Sequence, residues 1–484
     1  MRKRQTGGQP DGGIRQTAVM STEQPLADGD QPTSPVPGRR RRAHAGGKDL
    51  KRYAPLFASR TKVMRSSAMR DLMELTARPE VISLAGGQTD TGLFGSGEFA
   101  RLMTKIAHES AAKALQYGPT EGFASAKECV REVMAAEGMF PDDDDIIITT
   151  GGQQAIDLIT KTLIDPGDLI IAEGPTYAGA IPTFSAYEAD VIHVEMDSDG
   201  MRIDRLAELL DSLEAEGRRP KFIYSVPTFQ NPAGVTMSGE RRRQLVDLVR
   251  SRELLLVEDN PYGLMRFEGE PETPLYALDG GDYVVHLGTF SKLISPGVRL
   301  GWLCAPPPLM EKIVIGKQAS DLCTSTLSQF FVAELFESGR WREFVELSAA
   351  TYRGRRDTMI EALEESFPEG VSWSKPEGGL FVWATLPDYI DTTDLLTRAL
   401  ADNVAFVPGT AAFVDGRGRD SMRLNFSGVD DSDIREGIRR IGAVVTRQVE
   451  LYESITRPEA IRRKPLPDAD SPDNVVAFRR DEPR

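Results

Sequence analysis

Short apolar runs alternate with amphipathic stretches between about residues 52 and 330. The runs are rich in β-branched residues, and the stretches between them repeat apolar side chains at helical spacing, as in 153–164 and 240–251. This alternation predicts βαβ units around a mostly parallel, buried central sheet flanked by helices, an α/β fold. The predicted strands are 145–149, 169–173, 189–194, 222–226, 254–258, 284–288 and 301–305.

The pattern changes after Lys317, where longer helical stretches precede closely spaced apolar runs. We predict a smaller α+β domain there, completed by residues 68–84 from the N-terminal side. Its strands are predicted at 371–374, 379–384, 404–407 and 422–426. The predicted domains are 52–95 (N-terminal part of the small domain), 96–330 (large domain) and 331–456 (C-terminal part of the small domain).

Composition limits the partners and the location. Residues 1–51 and 457–484 have little apolar periodicity, which predicts disordered tails, and the run Arg39–Arg42 within the first is interpreted as solvated charge. The net charge of −15 disfavours nucleic acid. Three scattered cysteines encode neither a disulfide framework nor a thiolate zinc site, so we expect a cytoplasmic protein. No metal is expected. No apolar run approaches a membrane span, so no membrane partner is expected.

A predicted strand ends in the sequence Thr-x-Ser-Lys within Leu287–Gly301 (LGTFSKLISPGVRLG). Ligands bind at the carboxyl ends of strands in open α/β sheets, and partial desolvation there keeps a lysine neutral enough to attack an aldehyde. Lys292 is therefore a candidate nucleophile rather than the solvated charge that most lysines are. The hydroxyls of Thr289 and Ser291 and the guanidinium of Arg299 are suited to a phosphate dianion.

Two glycines, Gly151 and Gly152, separate a predicted strand from a helix in the sequence TTGGQQ (149–154). Glycine lets the backbone approach a ligand, and the start of the helix presents unpaired N–H groups to an anion. Alone, such a pair commonly marks only a tight turn. Beside the lysine segment, it becomes a second candidate phosphate contact.

Polar residues also follow two further strands. Asp259 and Tyr262 come after the run LLLVE, and two interpretations stay open. The carboxylate either caps the next turn, or it keeps a heteroaromatic nitrogen protonated while the tyrosine hydroxyl binds a phenolate oxygen on the same ring. Asn231 begins a turn sequence, NPAG, and is also a neutral donor. All four segments fall on one edge of the predicted sheet.

Ordered motifs between about Ser66 and Val445 resemble a known family. They are SLAGG, YGPTEG, TTGGQQA, EGPTYAGA, PTFQNPAG, VEDNPY, TFSK-x₆-R and MRLNFS. As a set they resemble the fold-type I pyridoxal-phosphate (PLP) aminotransferases of class I/II, and most closely the branch of 2-aminoadipate, kynurenine and multi-substrate aromatic or branched-chain aminotransferases. The resemblance implies the type I PLP-dependent transferase fold, with PLP bound by the large domain.

The resemblance also implies roles for individual residues. Lys292 resembles the lysine that binds PLP covalently and moves a proton between the substrate's α-carbon and the coenzyme's C4′. Asp259 resembles the partner of the pyridine nitrogen. Tyr262 and Asn231 resemble the pair on the ring oxygen O3′, and Tyr177 resembles the aromatic that stacks on the ring. The residues that resemble the phosphate cup are Gly152, Gln153, Thr289, Ser291 and Arg299.

Further residues resemble substrate and subunit contacts. Tyr117 is similar to the tyrosine that reaches the neighbouring subunit's phosphate, which implies an obligate homodimer with shared sites. Arg423 resembles the arginine that grips the substrate's α-carboxylate and so orients the Cα–H bond. Gly87 resembles the backbone donor beside it, and Asn231 is a candidate substrate contact as well.

Substrate choice is less defined. Arg70, in an S-x-x-R pattern, is a candidate for binding the distal carboxylate of 2-oxoglutarate, glutamate or 2-aminoadipate, or else an exposed helix arginine. The sequence GGQTD at 86–90 departs from the branch, in which many members carry an apolar residue and a proline after the glycines. That departure leaves side-chain specificity open.

We therefore predict an aminotransferase of amino acid metabolism or biosynthesis that works by a ping-pong cycle through pyridoxamine phosphate. The predicted donor is an aromatic, branched-chain or 2-aminoadipate-like L-α-amino acid, and the predicted acceptor is a 2-oxo acid such as 2-oxoglutarate. One alternative is a PLP-dependent lyase, decarboxylase or oxidase on the same fold. Another is a PLP-sensing transcription regulator, which would need an upstream winged-helix domain unlike the Gly- and Pro-rich residues 1–51.

Overall fold

The computed structural model describes residues 53–64, 72 and 78–456. The chain divides into a unit of residues 1–57, in which a 3₁₀ turn at Ala54–Leu56 is described, and a unit of residues 58–484. The sheets and the candidate site lie in the second unit.

Helices and strands alternate through most of this unit. The described strands are β1 (Ile82–Ser83), β2 (Ile146–Thr149), β3 (Leu169–Gly174), β4 (Asp190–Asp197), β5 (Gly200–Met201), β6 (Pro220–Ser225), β7 (Leu256–Asp259), β8 (Val284–Thr289), β9 (Gly301–Cys304), β10 (Ser372–Trp373), β11 (Phe381–Thr385), β12 (Val404–Ala405), β13 (Val407–Pro408) and β14 (Ser421–Asn425). The α-helices that lie wholly within the described residues are α1 (Ser96–Glu109), α2 (Ala111–Ala114), α3 (Ala124–Ala136), α4 (Gly152–Leu163), α5 (Ala180–Ala186), α6 (Ile203–Ala215), α7 (Gly239–Ser251), α8 (Leu275–Asp279), α9 (Phe290–Leu293), α10 (Pro307–Asp321), α11 (Thr326–Glu337), α12 (Trp341–Ser366), α13 (Thr392–Ala401) and α14 (Asp431–Thr456).

The central sheet has eight strands in the order β2-β9-β8-β7-β6-β3-β4-β5. Strands β8, β7, β6, β3 and β4 run parallel, whereas β9 runs antiparallel to both of its neighbours and β5 antiparallel to β4. Strand β8 is buried along its whole length, as expected for parallel strands with helices on both faces. The predicted α/β fold class, a mostly parallel sheet flanked by helices, is confirmed.

The seven strands predicted for this sheet are all present, with ends that differ by at most three residues. The largest difference is at β4, which continues to Asp197. Three of its eight residues are exposed, so the apolar pattern on which the prediction relied fades before the strand ends. The short strands β1 and β5 were not predicted, since two residues are too few to establish a period.

A second, antiparallel sheet has the order β10-β11-β14-β13. The prediction of one strand at 404–407 is wrong. The chain passes from one sheet to another at the buried residue Phe406, so that β12 pairs with β1 while β13 pairs with β14. The pairing of Ile82 with Val404 joins the N-terminal side of the chain to this region. The domain boundaries themselves stay a prediction.

The carboxyl ends of the central strands meet at one edge of the sheet. In the strand register, Thr149 and Thr289 both lie opposite Gly301, and Asp259 lies opposite Leu287. The segments that follow β2, β7 and β8 therefore begin side by side. None of the described helices is long and apolar enough to cross a membrane.

Candidate active site

Lys292 lies just beyond the end of β8, in the single-turn helix α9. The Thr289 hydroxyl caps this turn by accepting a hydrogen bond from the Ser291 N–H at 3.1 Å. The Lys292 side chain is half-buried, and its ammonium nitrogen donates to the Gly87 carbonyl at 2.5 Å. Thr289, Ser291 and Gly87, all predicted site residues, are thus immediate neighbours of Lys292.

The surroundings of Lys292 favour its neutral form. Loss of solvation lowers the pKa of Lys292 to about 8, and the positive charges of Arg423 and Arg299 act in the same direction. A neutral amine is the nucleophilic form, so this lysine is suited to attack an aldehyde near neutral pH.

Asp259 ends the neighbouring strand β7 and is buried. Burial raises the pKa of Asp259 to about 6, and a hydrogen bond from the Tyr224 hydroxyl acts against this shift. That hydroxyl donates to Asp259 Oδ2 at 2.5 Å. A buried carboxylate on a strand end can stabilise a protonated heteroaromatic nitrogen, as the second interpretation of the sequence required.

Tyr224 was not predicted as a site residue. It lies in β6, and its ring packs edge-on against Phe184, with ring centroids 5.5 Å apart. Burial raises the pKa of Tyr224 well above its usual range, and the negative charge of Asp259 adds to this shift. The hydroxyl therefore stays a donor. The available signal was that its hydroxyl, like that of the adjacent Ser225, lies in a mostly buried strand, since buried hydroxyls need a partner.

We expect Tyr224→Phe to shift the acidic limb of the kcat/KM profile towards higher pH. The hydroxyl favours the charged form of Asp259, so its removal raises the pKa of that carboxyl, and activity at pH 6 falls about tenfold while activity at pH 8.5 changes little. Tyr187→Phe is the matched control, because Tyr187 also donates to an aspartate, Asp157, at 3.1 Å. An unchanged pH profile in Tyr224→Phe would contradict this role.

Asn231 bridges two other site residues. Its Nδ2 donates to the Tyr262 hydroxyl at 3.2 Å, and its Oδ1 accepts from Arg423 Nη1 at 3.0 Å. All three side chains are buried. The Tyr262 ring packs edge-on against Phe381, with ring centroids 6.1 Å apart. A donor pair of amide and phenol is thus held at a fixed place beside the guanidinium.

Arg423 lies in β14, a strand of the second sheet. Its Nη2 donates to the carbonyls of Ala85 at 2.8 Å and Gly86 at 3.1 Å, and the guanidinium carbon lies 4.2 Å from the centre of the Phe381 ring. A buried guanidinium that is held at several points has a fixed orientation. That geometry suits bidentate binding of a carboxylate.

The segment after β2 combines with Arg299. Gly151 has a φ of +74°, and a Cβ atom there would lie 2.6 Å from Arg299 Nη2. The same guanidinium donates to the Thr150 carbonyl at 3.3 Å and lies 3.4 Å from the Ser291 hydroxyl through Nη1. Helix α4 begins at Gly152, directly beside these groups. Helix-start N–H groups, a hydroxyl and a guanidinium together form a cup for a dianion.

The remaining candidates lie at different distances from this cup. The Gln153 side chain turns to the Gly179 carbonyl and the Thr183 hydroxyl at 2.9 and 2.8 Å, which leaves its backbone N–H for the cup. Tyr177 is half-buried, and the Asp259 charge reinforces burial in raising its pKa. Tyr117 stands apart, with 77% of its surface exposed. Arg70 lies outside the described residues.

These groups match the parts of PLP one by one. The cup suits a phosphate, the buried Asp259 suits a ring nitrogen, the Asn231–Tyr262 pair suits a phenolate oxygen, and Lys292 suits an aldehyde. A Cβ atom at Gly151 would collide with the Arg299 guanidinium, so the glycine lets that guanidinium approach the backbone of the cup. The residues present therefore fit this coenzyme.

Comparisons with known proteins agree with this fit. A family model described as aminotransferase class I and II matches residues 79–441. The chain is 43% identical over 398 residues to aromatic-amino-acid aminotransferase 1 of Thermococcus litoralis, which covers 82% of this chain and 95% of that protein. It is 38% identical over 394 residues to 2-aminoadipate transaminase of Thermus thermophilus, over 81% of this chain and 96% of that protein.

A solved structure shares the fold. The kynurenine aminotransferase of Pyrococcus horikoshii, crystallised in complex with PMP, KYN as substrates and KYA as products, superposes with a TM-score of 0.79 at 40% identity, over 83% of this chain and 99% of that one. The family match spans more than half of the chain, and both relatives are covered almost completely. The chain therefore belongs to the class I and II aminotransferase family and is a PLP-dependent aminotransferase.

Proposed function

We propose that Lys292, Asp259 and Arg423 carry the transfer of an amino group from an L-α-amino acid to a 2-oxo acid. One observation supports this most strongly: a half-buried amine, a buried carboxylate and a buried guanidinium converge at one edge of the central sheet. Lys292 and Asp259 lie at the ends of two strands of that sheet, whereas Arg423 comes from the middle of β14 in the second sheet. Bound PLP supplies an electron-withdrawing ring that stabilises negative charge at the substrate's α-carbon and carries the amino group between the two substrates.

The residues proposed to hold PLP divide by the part of the coenzyme they bind. Lys292 would hold the aldehyde carbon, Asp259 the ring nitrogen, and Tyr177 the ring face. Asn231 and Tyr262 would hold the ring oxygen. The phosphate would be bound by Gly152, Gln153, Thr289, Ser291 and Arg299.

Arg423 is proposed to bind the substrate's α-carboxylate, with the backbone of Gly87 and the amide of Asn231 beside it. A carboxylate held by two parallel hydrogen bonds has little rotational freedom, so the Cα–H bond keeps one direction. The nitrogen of Lys292 then takes the proton from Cα as a general base. Its lowered pKa of about 8 supports this role, because a base works best when its pKa is near the working pH.

We expect Arg423→Lys to lower kcat/KM for the amino acid by about 10²-fold, because an ammonium cannot make the paired contacts of a guanidinium. The contacts of Arg423 with Asn231 Oδ1 and the Ala85 carbonyl would also be lost. Arg419→Lys is a suitable control, since Arg419 pairs with Asp391 on the surface. Steady-state kinetics with both variants checks the prediction, and equal kcat/KM values in the two would contradict it.

A homodimer is proposed from an exposed apolar face. Its members are Phe99, Leu115, Tyr117 and Leu327, all exposed. The Thr326 hydroxyl donates to the Ala114 carbonyl at 2.7 Å, which brings the neighbours Leu327 and Leu115 together. A surface of this kind marks an interaction site.

The apolar face borders a groove of about 660 Å³ whose walls include Phe99, Leu327, Ile294 and Val298. The last two residues follow Lys292 closely in the chain. A second copy that covers this face would therefore lie beside the lysine segment. That neighbourhood supports a shared site in which Tyr117 of one subunit reaches the phosphate of the other.

We expect Leu115→Asp to convert the dimer into monomers and to weaken PLP binding. The Leu115 side chain is 81% exposed, so the change costs the monomer little stability, whereas a charge in an apolar interface disfavours association. Leu451→Asp, on helix α14, is the control. Sedimentation velocity and PLP titration measure both effects. A monomeric wild type that binds PLP fully would contradict the proposal.

The substrate class is proposed from the relatives. Their names point to aromatic amino acids and 2-aminoadipate as donors, and we extend this range to branched-chain donors, with 2-oxoglutarate as acceptor. Binding of a distal carboxylate by Arg70 stays a prediction. So does the cytoplasmic location, which the three unpaired cysteines Cys129, Cys304 and Cys323 support. A biosynthetic role also stays a prediction.

The experiment that tests this function supplies the holoenzyme with L-phenylalanine and 2-oxoglutarate and follows both products by chromatography. We expect phenylpyruvate and glutamate in equal amounts. Parallel reactions with L-leucine and L-2-aminoadipate define the donor range. Loss of phenylalanine without formation of glutamate would contradict amino transfer and favour a lyase, decarboxylase or oxidase.

A further inference from the structure

A buried lysine lies behind the phosphate cup. Lys317, on helix α10, has no exposed side-chain surface. Its ammonium donates to Asp321 Oδ1 at 2.8 Å, to the Thr324 hydroxyl at 2.9 Å and to Gln154 Oε1 at 3.1 Å. All three of its N–H bonds therefore have an acceptor, which a buried charge requires. None of the roles proposed above uses this lysine.

Asp321 and Gln154 connect Lys317 to the cup. Asp321 Oδ2 accepts from the Thr150 hydroxyl at 3.0 Å and from Gln154 Nε2 at 2.7 Å. Gln154 Oε1 accepts from the Thr150 N–H at 2.7 Å. Thr150 is thus held at both its hydroxyl and its backbone nitrogen. The two groups that hold it are in turn held by one ammonium.

The position of Thr150 decides the shape of the cup. It precedes Gly151 and the first turn of helix α4, so its backbone sets where the Gly152 N–H points. Its carbonyl accepts from Arg299 Nη2 at 3.3 Å. A shift of Thr150 would therefore move two components of the cup together, the helix start and the guanidinium.

The backbone after Asp321 is strained. Leu322 has φ +64° and ψ −57°, and the Cys323 N–H donates to the Asp321 carbonyl at 2.7 Å, which is a γ-turn of the unfavourable kind. Such a conformation persists only where the surroundings hold it. Lys317 contacts residues on both sides of the turn, and the Thr324 hydroxyl also donates to the Ile148 carbonyl of β2 at 3.1 Å. The strained turn thus keeps the Asp321 carboxylate directed at Thr150.

We propose that Lys317 and Asp321 are positioning residues that hold the phosphate cup in its binding geometry before the coenzyme arrives. They act through Gln154 and Thr150, so the effect is one of preorganisation, since a site that is already ordered loses less entropy on binding. The inference rests on the proposed role of the cup in binding the phosphate of PLP.

The test measures the affinity of the apoprotein for pyridoxamine phosphate and for pyridoxamine by calorimetry. The two probes differ only in the phosphate. Thr150→Val removes the hydroxyl that Asp321 accepts, whereas Thr150→Ser keeps it. We expect Thr150→Val to weaken pyridoxamine phosphate binding about fivefold and Asp321→Ala at least about tenfold, with pyridoxamine affinity unchanged. Thr150→Ser is expected to bind both probes as the wild type does.

The measurements distinguish a failure of the positioning role from a failure of phosphate binding by the cup. If Thr150→Val binds pyridoxamine phosphate as tightly as Thr150→Ser, or if both probes weaken in parallel, the positioning role is wrong. If the wild type itself binds the two probes equally, the cup does not bind phosphate, and the proposed coenzyme contacts fail first. Should Asp321→Ala not fold, the matched pair at Thr150 decides alone.

Discussion

Replacement of Lys292 by alanine is expected to lower kcat by at least about 10⁴-fold, since the change removes both the nucleophile and the base that moves the α-proton. The effect follows from the position of the side chain. Its nitrogen lies beside the Gly87 carbonyl, within the field of Arg423 and Arg299, and its lowered pKa of about 8 leaves a reactive fraction of neutral amine. An alanine side chain has no nitrogen and can act neither as the nucleophile nor as the base.

Coenzyme binding provides the internal check on Lys292→Ala. The cup and the buried carboxylate remain, so we expect the variant to retain PLP without a covalent link and to melt within a few degrees of the wild type. Lys312→Ala is the control, because Lys312 lies on the surface next to Glu311. Single-turnover kinetics measure the rates of the two variants and of the wild type. Residual activity above about one per cent of the wild type would be incompatible with the role of Lys292.

Asp259→Asn is expected to lower kcat/KM by about 10³-fold without loss of the fold, because an amide has the shape of the carboxylate but not its charge. The Tyr224 hydroxyl can still donate to the amide oxygen, so the buried pocket keeps a hydrogen bond. What is lost is the negative charge that keeps a ring nitrogen protonated. The ring then withdraws electrons less strongly from the α-carbon.

The matched control for Asp259→Asn is Asp157→Asn. Asp157 also accepts a hydrogen bond from a tyrosine hydroxyl, that of Tyr187; Asp157 lies in the second turn of helix α4 and has none of the roles proposed for the site. We expect this control to retain wild-type kcat/KM. Activity of Asp259→Asn within tenfold of the wild type would show that the carboxylate does not face the ring nitrogen.

The chemistry-bearing strand ends were predictable because each combined two independent signals. Lys292, Asp259 and Asn231 each follow a buried apolar run, and the carboxyl ends of parallel strands share one edge. The register of β2, β8 and β9 then brings Thr149 and Thr289 opposite the same glycine. Local sequence patterns therefore predicted which distant residues lie together only where the strands form a regular parallel sheet.

The supporting residues could not be predicted in the same way. Tyr224 and Asp259 are 35 positions apart, and Thr150 and Asp321 are 171 positions apart. Neither pair has a local pattern, since each contact depends on how a helix or strand packs on its neighbour. Lys317 in particular lies on a helix whose sequence alone predicts an ordinary charged position.

Strand pairing in the second sheet also could not be predicted from the sequence. The run 404–407 has the composition of one strand, yet the chain changes sheets at Phe406 because β1 and β14 offer separate edges to its two halves. Which strand edges are free to pair is decided by the assembled fold. Each half of this run forms a strand of only two residues, which is too short for an alternating pattern to show that the run is divided. Arg70 lies outside the described residues, so its contact with a substrate carboxylate stays a prediction.

The most direct measurement of the central claim is a single turnover of the holoenzyme with L-phenylalanine in the absence of any 2-oxo acid. We expect one equivalent of phenylpyruvate per subunit, no ammonia, and one equivalent of glutamate when 2-oxoglutarate is added afterwards. Lys292→Ala should give neither product on the same time scale. Release of ammonia, carbon dioxide or peroxide from the wild type, or no glutamate on addition of 2-oxoglutarate, would contradict amino transfer at this site.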